Sequence, residues 1–172
     1  MKLLGALQRY GDKGADARRL AATSLAPHLG VKFSVSEISN RVLEHIEKWP
    51  PDLRNGEVNF DWREIKRAHR EPNRLEIAIW CGERLCGVAL CLLKSNYVEV
   101  RFVEGDPNKD CPLRGYRVLI VLECAANYAQ GLGRREIRIQ PINDTLAELY
   151  IGVYGFVEER PKNRSAYFRK EV

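Results

Sequence analysis

Apolar and polar residues alternate over residues 98–103, whose sequence is VEVRFV, and this alternation predicts a half-buried strand. Gly105 and Pro112 lie in the polar segment that follows and predict a loop. Apolar residues then recur at helical spacing from Val118 until Gly131, which predicts a helix. The first amide groups of a helix have no intrahelical partner, and the helix dipole is positive there. A strand, loop and helix in this order therefore form a physical anion site.

Two helices are predicted ahead of the first clear strands. Residues 34–37, with the sequence SVSE, fit a capping box for a helix that ends near Trp49. A second box at residues 61–64, with the sequence DWRE, opens another helix that ends before Pro72.

The other segments predict short strands and one further helix. Residues 75–80 alternate, whereas residues 85–93 are apolar on both faces, which predicts a central strand covered on both sides. Downstream of the long helix, the pattern predicts a strand, a helix and a final antiparallel pair of strands, at residues 136–139, 143–153, 155–157 and 166–169. Asn143 or Asp144 is the expected N-cap of that helix.

The predicted order of elements is α-α-β-β-β-α-β-α-β-β. It indicates a mixed α/β fold, because a doubly wound parallel sheet does not start with three hairpin-linked strands. Residues 34–172 form the main domain. Residues 1–33 are an N-terminal extension of unclear structure, in which Asp16 is expected to cap a short helix over residues 17–25 that Pro27 ends.

Composition and charge are those of one ordinary globular domain. The chain has 172 residues, of which 45% are apolar and 30% charged. The net charge of +5 is spread, with 13 basic and 10 acidic groups in residues 1–72 and 15 and 13 in residues 73–172. This gives only weak support to nucleic-acid binding by the basic clusters at residues 134–135 and 160–164, and it also suits a polyanionic cofactor.

Cysteine usage and apolar runs indicate the compartment. The five cysteines lack any Cys-x-x-Cys pair and lie mostly in apolar segments, as reduced core cysteines do in cytosolic proteins. A metal site is not expected, because zinc needs closer pairing and nearby histidines. Residues 3–7 are too short for the apolar core of a signal peptide, and no apolar run approaches the length of a membrane span. We therefore expect a cytoplasmic protein without membrane contact.

The segments VEVRF, at residues 98–102, and LRGYR, at residues 113–117, resemble the strand-loop-helix core of the GNAT superfamily of N-acetyltransferases, and most closely its histone acetyltransferase branch. The loop pattern of that superfamily is Gln/Arg-x-x-Gly-x-Gly/Ala. Its first residue falls on Arg114, whereas Arg117 and Leu119 stand where the two small residues belong. Arg117 keeps its amide and adds a guanidinium that suits a phosphate. The resemblance implies a GNAT-like acyl-CoA N-acyltransferase fold with the order of elements given above.

A second signature of the superfamily, Asn…Leu-Tyr…Gly-Phe, resembles Asn143…Leu149-Tyr150…Gly155-Phe156, with one extra residue between the tyrosine and the glycine. The resemblance implies acetyl-CoA as the cofactor, with loop amides on its pyrophosphate and strand amides on its pantetheine. Coenzyme contacts are expected at Phe102, Val103, Arg114, Gly115, Tyr116, Arg117, Val118, Leu119 and Asn143.

Acyl transfer to an amine needs a base, an acid and donors for the oxyanion. The VEVRF strand resembles the histone acetyltransferase strand that carries the catalytic glutamate, which implies that Glu99 is the base, directly or through water, with Glu104 as its rival. Tyr150 is the candidate to protonate the leaving thiolate, and Tyr154, one helical turn further on, is its rival. The amides of residues 102–103 are expected to polarise the thioester carbonyl.

Three hypotheses follow. The first is an N-acetyltransferase that moves an acetyl group from acetyl-CoA to a primary amine of a small molecule, a protein or an aminoacyl-tRNA, by direct attack in a ternary complex. The alternative is a catalytically inactive module of the same fold that acts through protein or nucleic-acid contacts, because the side chains of Arg117 and Leu119 add bulk to the loop. The third is a nucleic-acid-binding domain that uses the basic clusters. A homodimer is compatible with the resemblance.

Overall fold

The structure is a computed structural model that describes residues 2–54, 59–141 and 144–172. Its helices and strands, in chain order, are α1 (Lys2–Leu29), β1 (Ser34–Ser36), α2 (Asn40–Glu47), α3 (Trp62–Ala68), β2 (Arg74–Cys81), β3 (Arg84–Leu93), β4 (Val98–Gly105), α4 (Arg117–Gly131), β5 (Glu136–Ile139), α5 (Asp144–Gly152), β6 (Val157–Glu159) and β7 (Tyr167–Glu171).

The strands form one mixed sheet of seven strands in the order β1-β2-β3-β4-β5-β7-β6. Neighbouring strands are antiparallel except for β4 and β5, which run parallel. A parallel pair needs a crossover connection, and α4 provides it. The mixed α/β fold predicted from the sequence is therefore confirmed, with α1 and β1 added ahead of the predicted order.

The N-terminal segment forms one long helix, so the prediction of a short helix over residues 17–25 is wrong. Asp16 lies inside α1 and accepts a hydrogen bond from Arg19 Nη2 at 2.9 Å instead of capping a helix. Ala17 and Ala21 are buried where α1 packs on α4 and the sheet. Tertiary packing of this kind stabilises a helix whose own sequence pattern is weak.

Of the two capping boxes predicted for the early helices, the first is wrong and the second is confirmed. Residues 34–36 form β1 on the edge of β2, so the capping box predicted at residues 34–37 is wrong. Ser39 caps α2 instead, by accepting a hydrogen bond from the Val42 amide at 3.3 Å. The Asp61 carboxylate accepts a hydrogen bond from the Glu64 amide at 3.2 Å, which confirms the second cap. Pairing with a distant strand thus outweighs a local capping pattern.

Different helices cover the two faces of the sheet. One face packs against α1, α4 and α5, and its core includes Ile77, Val100 and Ile139. The other face packs against α2 and α3 over strands β2 to β4, and its core includes Trp80 and Leu90. Strand β3 contributes to both cores, as its apolar sequence predicts. We call these the α4 face and the α2 face.

A β-bulge changes the direction of the side chains in β4. The register between β3 and β4 shifts by one residue after Val100, which leaves Arg101 as the extra residue. Phe102 therefore lies on the α2 face, where its ring centroid is 6.3 Å from that of Trp62, whereas Val100 lies on the α4 face. The alternation predicted for residues 98–103 holds only up to the bulge.

The C-terminal elements follow the prediction closely. Strand β5 spans residues 136–139, and α5 begins at Asp144. Asn143, the alternative cap of that helix, lies outside the described residues. In the part of the chain that the structure describes, no helix combines the length and apolar composition needed to cross a bilayer.

Candidate active site between two parallel strands

The two parallel strands separate part of the way along β4. Their pairing ends at Val100 and Ile139, whereas β4 continues to Gly105. In the described residues, the edge of residues 101–105 that faces β5 has no strand partner. Backbone N–H and C=O groups on such an edge are available to an extended ligand. We call this gap the β4–β5 opening.

The N-terminus of α4 offers further free amides. Tyr116 is its N-cap residue and makes no hydrogen bond from its side chain to the helix, so the amides of residues 117–119 are not satisfied by that cap. Gly115, just before it, has φ of +90°, and the space where a Cβ would lie is open to 4 Å. Arg114 is exposed on the same loop. The site therefore combines a positive helix end, an exposed cation and free space.

Arg117 turns its side chain into the fold. Its Nη1 donates hydrogen bonds to the carbonyl oxygens of Asp106 at 2.7 Å and Cys86 at 3.3 Å. The guanidinium also covers Gly105 so closely that a Cβ there would overlap it. Backbone carbonyls therefore hold one nitrogen of this guanidinium, and its pairing with a phosphate stays a prediction. Its backbone amide, at the first position of α4, remains part of the predicted anion site.

These features bear on whether the loop fits a coenzyme diphosphate. The bulk of Arg117 points at β3 and β4 and not at the space beside Gly115. Val118 and Leu119 are half-buried on the first helical turn. The Arg117 side chain thus leaves the space beside Gly115 open, and the exposed Arg114 and the first amides of α4 fit a diphosphate.

Glu99 lies at the edge of a cavity on the α2 face of the sheet. The cavity has a volume of about 400 Å³, and its lining residues are Tyr97, Glu99, Arg138, Ile139, Gln140, Arg164, Ser165 and Tyr167. The Glu99 side chain is 26% exposed, and its Oε2 lies 4.0 Å from Lys94 Nζ. In the described residues it accepts no hydrogen bond, so its carboxylate is free to take a proton from a ligand. We call this the Glu99 cavity.

Glu104, the alternative candidate for the base, is buried and hydrogen-bonded within the fold. Its side chain is 2% exposed, and its carboxylate accepts hydrogen bonds from Arg54 Nε at 2.7 Å and Arg54 Nη2 at 2.9 Å. The Phe60 amide and Trp62 Nε1 donate to the same carboxylate at 3.1 and 3.0 Å. A carboxylate with this many donors holds the α3 region on the sheet and has no lone pair aimed at a ligand.

Tyr150 lies in an aromatic cluster on the α4 face. Its ring centroid is 5.7 Å from that of Phe156 and 6.5 Å from that of Phe168. Burial raises the pKa of Tyr150 to about 12, with the neighbouring Tyr154 as the smaller cause, so the phenol keeps its proton at neutral pH. Burial also raises the pKa of Tyr154, which is half-buried and lies 6.2 Å from Tyr150 between ring centroids.

The two predicted catalytic groups lie on opposite faces of the sheet. Glu99 pairs with Arg138, while the next residues along, Val100 and Ile139, point to the α4 face, where Phe168 packs beside Tyr150. The β4–β5 opening begins one residue past Glu99, where the pairing of the two strands ends.

Sequence reasoning missed the cationic side of the Glu99 cavity. Arg138 lies in the predicted strand at residues 136–139, where it alternates with buried isoleucines. The position of Arg138 beside Glu99 follows from parallel pairing that no local pattern reveals. Arg164 belongs to the loop before β7 and reaches the same cavity.

Comparison with solved structures identifies the architecture. The chain is similar to an acetyltransferase from Thermus thermophilus, with 12% sequence identity, a TM-score of 0.58 and coverage of 81% of this chain and 97% of that chain. It is also similar to the PaiA N-acetyltransferase from Thermoplasma acidophilum in complex with coenzyme A, with 16% identity, a TM-score of 0.57 and coverage of 81% and 99%.

A third similar structure is the ribosomal-protein-S18-alanine N-acetyltransferase from Escherichia coli, with 15% identity, a TM-score of 0.55 and coverage of 80% and 90%. No protein-family model matches the sequence, and no curated protein sequence matches it. At these identities the likeness establishes the fold.

Proposed function

We propose that this chain, which has the fold of the GNAT acetyltransferases, is an acetyl-CoA-dependent N-acetyltransferase that acts on a primary amine. The observation that carries the proposal is the β4–β5 opening. It begins just past Glu99, a half-buried carboxylate on β4, and exposes a strand edge with free backbone groups. It ends at Gly105, which lies against Arg117, the first residue of the uncapped helix α4. An extended ligand with an anionic end matches this order of groups.

The coenzyme is proposed to bind along β4 and at the start of α4. The amides of residues 117–119 and of Gly115 would receive the diphosphate, and the exposed Arg114 would add a charge-assisted hydrogen bond. The amides of Phe102 and Val103 would hold the pantetheine arm. The chemistry that acetyl-CoA supplies when bound is an activated thioester, and Asn143, outside the described residues, stays a predicted contact.

The chain's own groups have separate tasks in this proposal. An amine is almost fully protonated near neutral pH, so Glu99 accepts its proton, directly or through one water molecule. The amides of residues 102–103 donate to the carbonyl oxygen as negative charge develops on it. Tyr150 keeps its O–H to high pH and would donate it toward the thiolate from the α4 face. Holding both reactants in one cleft contributes much of the remaining rate.

Coenzyme binding is the direct test. We expect acetyl-CoA at ~100 times its dissociation constant to raise the free energy of unfolding by ~2.7 kcal/mol, measured by urea unfolding with and without ligand. Titration calorimetry of Arg114→Ala should give a dissociation constant roughly 10-fold higher, because one charge-assisted contact is lost.

Arg135→Ala is the matched control, because Arg135 is also exposed but follows the far end of α4. It should bind acetyl-CoA as the wild-type chain does. An unchanged unfolding curve at millimolar acetyl-CoA would instead favour the catalytically inactive module, and equal weakening by both substitutions would mean that the contact is only general charge attraction.

A further inference from the structure

The Glu99 cavity contains a second charged group that acyl transfer itself does not use. Glu99 on β4 is the register partner of Arg138 on β5. Opposite charges on neighbouring strands attract each other. Among the described residues, however, no ion pair joins these two groups, and the cation nearest to Glu99 is Lys94 at 4.0 Å. Something else holds the guanidinium.

Arg138 is held by two aromatic rings and one carboxylate. Its guanidinium carbon is 3.8 Å from the ring centroid of Tyr97, which directly precedes β4, and 4.4 Å from that of Tyr167, the first residue of β7. Its Nε donates to Glu136 Oε2 at 2.6 Å. These contacts fix the rotamer and leave the planar group ready for a ligand.

The two Nη groups of Arg138 are left for that ligand. Neither has a hydrogen-bond or ion-pair partner in the part of the chain that the structure describes, although the side chain is only 21% exposed. Arg164 and Ser165 also line the cavity and carry further hydrogen-bond donors, whereas the Gln140 amide donates to the Ala166 carbonyl oxygen at 3.4 Å. The cavity therefore has an anionic side at Glu99 and a cationic, donor-rich side beside it.

This arrangement suits a ligand that carries opposite charges a short distance apart. Neighbouring strands are about 4.8 Å apart, and Glu99 and Arg138 occupy paired positions on such strands. A free amino acid carries its ammonium and carboxylate on one carbon atom. A planar guanidinium fork matches a carboxylate bidentately, and the cavity volume of about 400 Å³ suits a ligand of this size.

We propose that the acceptor is a free amino acid or a close analogue, whose carboxylate binds Arg138 while its amine lies at Glu99. This inference rests on the proposed acetyltransferase function and names its substrate class. Arg138 is then a specificity-determining residue. A protein lysine has no carboxylate beside its amine, and a protein N-terminus carries an amide in that place, so both lack the group that Arg138 recognises.

The test uses sets of amines that differ only at the carboxylate. Leucine, phenylalanine and lysine are each supplied as the free acid, as the carboxamide and as the decarboxylated amine, with acetyl-CoA and a thiol reagent that detects released coenzyme. A neighbouring carboxylate favours the protonated amine, so intrinsic reactivity favours the carboxamide. We expect kcat/KM of the wild-type chain to be roughly 10- to 100-fold higher for the acid in at least one set.

Arg138→Gln should remove that preference, mainly by raising KM for the acid, and leave kcat/KM for the carboxamide within about twofold. Arg138→Lys keeps the charge without the fork and should retain part of the preference. Arg160→Gln is the charge-matched control, because Arg160 is exposed, pairs with Glu158 and lies outside the cavity lining. It should behave as the wild-type chain does.

A second measurement does not depend on turnover. Leucine, but not leucinamide, should raise the melting temperature of the wild-type chain in the presence of coenzyme A, and Arg138→Gln should abolish the difference. If the variant does not fold, the wild-type preference for acid over carboxamide decides the question alone.

Three outcomes would overturn the proposal: equal kcat/KM for acid and carboxamide, no thiol release from any amine of the sets despite coenzyme binding, or an equal loss on all amines in Arg138→Gln. Failure of the acetyltransferase function itself looks different, because then acetyl-CoA would not stabilise the chain at all.

Discussion

Two carboxylates on the same strand and the same face of the sheet have opposite surroundings. Glu104 is 2% exposed and receives hydrogen bonds from Arg54, Phe60 and Trp62. Glu99 is 26% exposed, and among the described residues its one ion-pair partner is Lys94, at 4.0 Å. The difference arises because α2 and α3 cover the β2–β4 part of the α2 face, while the part near β5 and β7 carries a cavity.

The comparison shows how one strand holds a buried, fully hydrogen-bonded carboxylate at one end and a carboxylate beside a cavity at the other. A buried carboxylate needs donors to offset its lost hydration, and those donors use up its lone pairs. A carboxylate beside a cavity keeps them for a ligand. The bulge at Arg101 places both on the α2 face, because it shifts the alternation between them by one residue.

Removing the buried carboxylate should have the largest effect. Glu104→Ala leaves the Arg54 guanidinium buried without its partner, and we expect the free energy of unfolding to fall by ~3–5 kcal/mol in urea. Glu99→Ala should change it by less than ~0.5 kcal/mol, since this side chain is partly exposed and accepts no hydrogen bond from the described residues. Equal losses in the two variants would remove the distinction.

Activity should show the reverse order. Glu99→Gln keeps the size of the side chain but removes the base, and we expect kcat to fall roughly 10²- to 10⁴-fold. The dissociation constant of acetyl-CoA, measured by calorimetry, should stay within about twofold, because the carboxylate lies outside the proposed coenzyme contacts. A weakened coenzyme with unchanged kcat would contradict this assignment.

The packing at the end of β4 can be tested by substitution of Gly105. A Cβ at this position overlaps the Arg117 guanidinium, so Gly105→Ala forces that side chain away from the carbonyl oxygens of Cys86 and Asp106. We expect the free energy of unfolding to fall by ~1–3 kcal/mol. Gly5→Ala is the control, because Gly5 lies in α1 with nothing within 4 Å of the point where a Cβ would lie. It should not destabilise the chain.

The smallest effect is expected at Tyr150, because its contribution to the free energy of unfolding changes with pH only well above neutral pH. Burial raises its pKa to about 12 from the ordinary value of 10.0, so the unfolded chain ionises this phenol first. The stabilisation is full below pH 10 and is lost as the pH rises through 12. Ultraviolet absorbance can follow the ionisation of the tyrosines as the pH rises. The wild-type chain should show a step near pH 12 that is missing in Tyr150→Phe. A missing step near pH 10, the ordinary value, would mean an exposed ring.

Local patterns predicted the parts of the fold that depend on local chemistry. The Asp61 cap, the two-sided strand β3 and the start of α5 need only neighbouring residues. Ser34 failed as a cap because it pairs with β2, and Phe102 changed face because of a bulge. Such features depend on strand partners that the sequence does not identify.

The candidate site divides in the same way. Glu99 and the loop from Arg114 were predicted from a linear motif. The burial of Glu104 depends on Arg54, and the position of Arg138 depends on rings that lie beside β4 and in β7, all far along the chain. Charge partners brought together by topology were beyond local reasoning.

The inward turn of Arg117 has a consequence for how this chain is recognised. Arg117 occupies a position of the first helical turn, and Gly105 on the strand makes room for its guanidinium. Substitution at either position alone is unfavourable, so the two should change together during evolution. A sequence motif that requires glycine at position 117 will not match chains of this type. Their helix nevertheless begins with backbone amides that are free to bind an anion.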